Sequence, residues 1–174
     1  LRRGGRNAEG GARAEVGLFH TDISNRIQST SGQTPNTYYN NTAVTQIRGL
    51  TADFNLNIGK VWSLNLGFTR QKAHLKGSTL QINETPEYMT QGTLNWNSPD
   101  QRFHVSLFPR YQGPEYSTGG PSNKFRHNFG NYFVMNGSIA YWAGDERQHR
   151  FQLRGVNILD GTYAERYGYG NQRF

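Results

Sequence analysis

The chain has 174 residues and no cysteine, so a disulfide scaffold and a thiolate metal site are both excluded. Its 19 Lys and Arg against 12 Asp and Glu give a formal net charge of +7, which suits nucleic acid, anionic lipid or an acidic ligand and selects none of them. Mean hydropathy is -0.81 and no window approaches the apolar run of a spanning helix; loop-rich soluble proteins share that average with β-barrels, half of whose strand residues face water.

Residues 1–12, rich in Gly and Arg, read as an irregular basic start, and Leu1, with no initiating Met or leader, reads as the opening of an internal or C-terminal piece. Period-two alternation then predicts about seven strands: Arg13 to Ile23, Val44 to Ile58, Val61 to Ala73, Glu87 to Asn97, Arg102 to Tyr111, Tyr132 to Trp142, and His149 to Val156. The second and third are the clearest. Leu50, Ala52, Phe54, Leu56 and Ile58 carry one face and Thr51, Asp53, Asn55 and Asn57 the other; after the tight turn at Gly59-Lys60-Val61, Trp62, Leu64, Leu66 and Phe68 resume the apolar face. At roughly 3.3 Å per residue and a tilt of about 40°, nine such residues rise about 23 Å, close to the apolar band of an outer-membrane barrel.

The connections alternate in length. Short turns fall at Gly59 to Val61, Asn97 to Gln101 and Ala143 to Gln148, whereas Asn25 to Asn41, His74 to Pro86 and Gln112 to Asn131 are long and rich in Gly, Ser, Thr, Asn and Pro. Short turns at one end and long loops at the other define an antiparallel transmembrane β-barrel segment, with the short turns on the periplasmic side. Rings mark both ends of the apolar face: Trp62, Trp96, Phe103, Tyr141 and Phe151 beside the short turns, and Phe68, Tyr88, Tyr111 and Phe133 at the opposite strand ends. Such rings favour the headgroup zone, so the two rows read as interfacial girdles. The other face, with Asn55, Asn57, Ser63, Asn65, Thr69, Gln91, Thr93, Asn95, Arg102, His104 and Ser106, lines a wet interior, because a dry core does not accept such rows unpaired. With an odd number of crossings and no strand alternation in Ala164 to Phe174, the barrel is expected to be incomplete.

Several residues resemble a known family. Phe19-His20-Thr21-Asp22-Ile23 with Ile27-Gln28 resembles the "FYTDI…IQ" segment near the C-terminal end of TonB-dependent outer-membrane receptors. Asn40 to Ala43 followed by Ile47-Arg48-Gly49-Leu50 is similar to their "N…A.IRGvE" segment, and Gly155 to Tyr163 to their "v.NLfD..Y" segment; Tyr167-Gly168 with Arg173 echoes "YG.PR". The resemblance implies that residues 13–174 are the C-terminal part of such a barrel. It also implies active uptake of a siderophore, metal chelate or similar nutrient across the bacterial outer membrane, with energy from a TonB-type coupling protein that acts through an N-terminal part. A passive porin-like channel and a soluble β-sandwich binding module remain as alternatives.

Ligand contacts are expected at the long-loop end, where Tyr38, Tyr39, Tyr111, Tyr116, Lys124, Arg126 and His127 offer rings and cations suited to an anionic chelate. If Ile58 lies opposite Trp62, then Arg48 lies opposite Lys72 and Leu50 opposite Arg70, which sets Arg48, Arg70 and Lys72 outside, just above the lipid band, where they can meet lipopolysaccharide phosphates. The alternative is a solvated strand end with snorkelling side chains. No catalytic motif or cofactor is implied. The five His residues are dispersed, and His104 with Ser106, although on one strand face, has no acid placed beside it. The Arg2, Arg3, Arg6 and Arg13 run is followed by no nucleic-acid-binding module.

Overall fold

The computed structural model describes residues 10–29, 37–82, 85–118 and 126–163. They form nine strands: β1 (Gly10–Ile23), β2 (Arg26–Ser29), β3 (Tyr38–Asn41), β4 (Thr45–Ile58), β5 (Trp62–Leu75), β6 (Tyr88–Asn97), β7 (Phe103–Thr118), β8 (Arg126–Ala143) and β9 (His149–Gly155). Seven of them make one antiparallel sheet in the order β1-β4-β5-β6-β7-β8-β9, open at β1 and β9, and β2 with β3 forms a separate hairpin inside the connection from β1 to β4. The alternation of side chains along each strand therefore defines two faces of one continuous wall.

The register aligns the apolar positions across the wall. Ile58 pairs with Trp62, Trp62 with Trp96, Leu56 with Leu64, and Leu64 with Leu94. Leu94 continues to Leu107, while Phe103 pairs with Tyr141 and Tyr141 with Phe151. This face is not covered by another layer. Leu18 is 84% exposed, Leu153 74%, Ile58 57% and Ile139 50%, and the buried hydrophobic residues are limited to Ala73, Tyr132, Val134 and Ala140 among the described residues. A soluble sandwich buries the corresponding face under a second sheet; an uncovered apolar face of this extent belongs against lipid.

Three tight turns close one end. Gly59 takes φ 56°, Gln101 57°, Gly144 86° and Arg147 57°, the left-handed conformations that short turns require. Ser98 Oγ donates to Asp100 Oδ1 at 2.5 Å and the Arg102 N–H donates to the same oxygen at 3.2 Å. Those bonds hold the exposed Asp100 carboxyl below its ordinary range. Arg147 Nη2 donates to the Asp100 carbonyl at 2.7 Å, tying two neighbouring turns together.

At the other end the strands run further than alternation alone predicts. The expected strands Arg102 to Tyr111 and Tyr132 to Trp142 become β7 and β8, which stay paired up to Thr118 and Arg126. Hydrogen-bonded pairing overrides the Gly, Pro and Asn content of that stretch, and the irregularity is concentrated in a kink at Gly130 (φ 80°) and Asn131 (φ 57°), where Tyr111 OH donates to Asn131 Oδ1. The connection from Asn25 to Asn41 likewise contains the β2–β3 hairpin rather than irregular chain throughout. β1 begins at Gly10, three residues ahead of the expected start, because Gly10 to Ala12 pair with Leu56 to Ile58.

Asn157 organises the segment after β9, which the Ile158 N–H also ties to the Met135 carbonyl at 2.8 Å. Asn157, 3% exposed and at φ 48°, donates from Nδ2 to the Gly161 carbonyl at 2.9 Å and accepts at Oδ1 from the Gly161 N–H at 3.1 Å. Its own N–H donates to Asn136 Oδ1 at 2.8 Å. This turn brings Tyr163 onto Tyr132, with ring centroids 4.7 Å apart. Asn tolerates the left-handed conformation and bonds its own backbone neighbours, which is why the Asn-x-x-x-Gly spacing forms here.

Candidate functional site

The inward face carries polar side chains along most of its height. Near the short turns, Asn95 Nδ2 donates to Ser63 Oγ at 3.0 Å, Ser106 Oγ donates to Asn95 Oδ1 at 2.7 Å, and His104 Nε2 lies 2.7 Å from Ser106 Oγ. His104 Nδ1 lies 2.6 Å from Asn97 Oδ1, and Asn97 Nδ2 donates to the Lys60 carbonyl at 3.1 Å. The sequence left His104 and Ser106 without a third partner; the structure supplies an amide in that place. Ser106 is 4% exposed and its hydroxyl is shared with Asn95, so the group forms a cross-strand ladder rather than an accessible nucleophile.

Above this ladder, hollows of ≈ 510 and ≈ 400 Å³ run along the wall, bordered by Asp53, Asn55, Asn65, Gln91, Thr93 and Arg110. Higher still, the register sets Phe19 beside Gly49 and Gly49 beside Gln71, and the Gln71 N–H donates to the Glu87 carbonyl at 2.8 Å. A cavity of ≈ 720 Å³ opens over this row, lined also by Thr79, Leu80, Gln81 and Tyr116. Two Gln side chains build its wall. Gln71 Nε2 donates to the Pro86 carbonyl at 3.1 Å, and Gln81, 7% exposed, accepts from the Ala73 N–H at 2.9 Å and donates to the Thr85 carbonyl at 3.3 Å. The connection between β5 and β6 is thereby fastened to the sheet as a fixed side of the cavity.

Gly49 is the residue that permits this row. A Cβ there falls on the Arg70 carbonyl oxygen and within 2.7 Å of Phe19 Cζ, so the Phe19 ring occupies the space a larger residue would need. On the adjoining strands, Gln112 (6% exposed) accepts from Arg110 Nη2 at 2.7 Å and from Tyr132 OH at 3.0 Å and donates to the buried Glu115. This polar knot fixes the base of the β7–β8 hairpin beside the cavity.

The residues singled out in the sequence separate into groups. Tyr116 lines the cavity. Tyr38 and Tyr39 lie exposed on β3, and Arg126 and His127 open β8 opposite Thr118 and Ser117. Lys124 lies outside the described residues. Tyr111 stacks on Tyr88, centroids 5.8 Å apart, within the outward ring row. Arg48, Arg70 and Lys72 are exposed and border the cavity as chain neighbours of Gly49 and Gln71; strand alternation turns their side chains to the opposite face. Phe19, Gln71, Gln81 and Glu87 were missed, and only Phe19 carried a signal, as a large ring on the polar parity of its strand.

An uncovered apolar face, a polar inner face, short turns at one end and long connections at the other define a wall segment of a membrane-spanning β-barrel. Residues 4–158 match the family described as TonB dependent receptor-like, beta-barrel, and the chain belongs to that family. Among solved structures, the ferric-catecholate import receptor Fiu from E. coli K12 is similar over 92% of this chain and 23% of its own, at 22% identity and a TM-score of 0.65. The pyoverdine outer membrane receptor FpvA from Pseudomonas aeruginosa PAO1, bound to pyoverdine, is similar over 94% of this chain and 25% of its own, at 14% identity and a TM-score of 0.74. At these identities the likeness establishes the fold, and the chain spans about a quarter of each receptor's length. No curated protein sequence matches the chain.

Proposed function

We propose that the chain is part of an outer-membrane receptor that takes up a ferric siderophore or similar metal chelate. The observation that carries this reading is the ≈ 720 Å³ cavity at the long-connection end of the inward face, in a chain of this family. Phe19 and Tyr116 offer ring faces there, while Gln71 and Gln81 hold the cavity wall in place. Ring surfaces beside polar groups suit a chelate with a flat organic shell. Tyr38, Tyr39, Lys124, Arg126 and His127 are further residues through which the receptor contacts the chelate. A TonB-type energy-coupling protein supplies the work of import through other parts of the full-length receptor.

The test uses the full-length receptor with two iron-loaded probes, a catecholate chelate and a pyoverdine. At least one binds, and the Phe19→Ala, Tyr116→Ala double variant weakens that binding about tenfold, from the loss of two ring contacts. Binding of neither probe, or uptake that continues after the proton gradient is collapsed, overturns the proposal; the second result favours a passive channel.

A further inference from the structure

On the receptor reading just given, we infer that Glu87 makes the cavity selective for a chelate that carries a cationic group, an ammonium or a guanidinium, on its organic part. The ≈ 720 Å³ space is bordered by the charged residues Arg48, Arg70, Lys72 and Glu87. Strand alternation turns the first three to the outward face. Glu87 belongs to the inward face. Its carbonyl accepts from the Gln71 N–H at 2.8 Å and its own N–H donates to the Pro114 carbonyl at 3.2 Å, so it continues the β6 pairing and lies across from Gln71. Among the described lining residues, the charge that a ligand meets inside the cavity is therefore negative. That carboxylate is half-buried, and among the described residues no hydrogen bond or ion pair reaches it. The donors on the same face are committed elsewhere: Gln71 Nε2 to the Pro86 carbonyl at 3.1 Å, and Arg110 Nη2 to Gln112 Oε1 at 2.7 Å. A carboxylate drawn partly out of water without a partner loses hydration, which an arriving cation offsets and an anion worsens.

The register supplies the rest of such a site. Phe19 pairs with Gly49 and Gly49 with Gln71, which lies across from Glu87, so one row runs from β1 to the start of β6. With about 4.8 Å between strands, Gly49 and Glu87 are about 10 Å apart. The tip of the Phe19 ring lies over Gly49, and Leu80 and Tyr116 border the same cavity. These groups give apolar surface to the alkyl stem that carries a charge, and ring faces attract the charge itself. An alkylamine arm laid along the row sets its stem on Phe19 and its ammonium at Glu87. The expectation of an anionic ligand came from the cations Lys124, Arg126 and His127. The cavity itself bears the opposite sign, and Glu87 discriminates by repelling the wrong charge as well as by holding the right one.

The test titrates full-length receptor in detergent with a ferric trihydroxamate bearing a terminal ammonium and with the same chelate N-acetylated, which removes the charge and keeps the metal centre. The unaltered receptor is expected to bind the ammonium form about tenfold more tightly, the size of one charge-assisted contact at a half-buried carboxylate. Glu87→Gln brings the two affinities within about twofold, and Glu87→Lys turns the preference towards the acetylated form. Each ratio is taken within one variant, so it does not depend on the fraction of protein that is folded. Equal binding of the two forms by the unaltered receptor, or a preference for the ammonium form that survives in Glu87→Gln, overturns the inference. Binding of neither form while the catecholate chelate or the pyoverdine still binds also overturns it and leaves the receptor reading standing; failure of every chelate overturns both.

Discussion

Leu66→Arg in the full-length receptor is expected to destabilise the folded barrel in a bilayer by about 2–4 kcal/mol, whereas Asn65→Arg, one residue away, changes stability by less than about 0.5 kcal/mol. Leu66 lies near the middle of the outward face, paired with Phe54 and Gly92, and Asn65 lies on the inward face between Asn55 and Thr93. Both sites are exposed in the isolated sheet, Leu66 at 38%, so a soluble protein would tolerate either charge almost equally. The difference comes from the medium: hydrocarbon does not solvate a guanidinium at mid-depth, and a wet lumen does. Reversible urea unfolding in lipid vesicles measures it. A cost of the same size at both positions removes the assignment of the two faces.

The second large effect is at Gly49. Gly49→Ala is expected to cost about 2–3 kcal/mol, because the added methyl overlaps the Arg70 carbonyl and the Phe19 ring in a sheet with no room to part locally. Adding Phe19→Ala removes the ring overlap and leaves the backbone one, so the double variant recovers part of the loss and not all of it. The same unfolding measurement reports both. Full recovery would assign the whole clash to the ring, and no recovery would mean that Phe19 does not pack over Gly49.

The wall was legible in the sequence because a membrane barrel writes both its faces into period-two alternation. Leu50 to Ile58 and Trp62 to Phe68 determine their own pairing once the turn at Gly59 is recognised, and the Ile58↔Trp62 register follows. The ring rows were readable for the same reason, since parity and distance from a short turn place each ring. The upper end was not. The continuation of β7 and β8 to Thr118 and Arg126 depends on each strand having the other as partner, which outweighs local Gly and Pro signals. The cavity depends on contacts that no spacing encodes: Phe19, Gln71 and Glu87 come from three places in the chain, and Gln81 reaches the Ala73 N–H only after the connection has folded. Arg48, Arg70 and Lys72 could be set together from the sequence because they sit in one hairpin, whereas the pairing of His20 with Arg48 needed the long-range register of β1 with β4. The family motifs carried structural information as well, since Gly49 accommodates the Phe19 ring and Asn157 ties the turn that ends at Tyr163.

The most direct measurement is a spin-label scan of residues 62–72 in the full-length receptor, each replaced in turn by labelled cysteine and examined in outer-membrane vesicles. Labels at 64, 66 and 68 are expected to contact dissolved oxygen in the hydrocarbon and to be shielded from a water-soluble relaxation reagent, those at 63, 65 and 67 to show the reverse, and the labels at 70 and 72 to report the headgroup zone. Labels at 64, 66 and 68 that meet the water-soluble reagent as readily as their neighbours would contradict a lipid-facing wall.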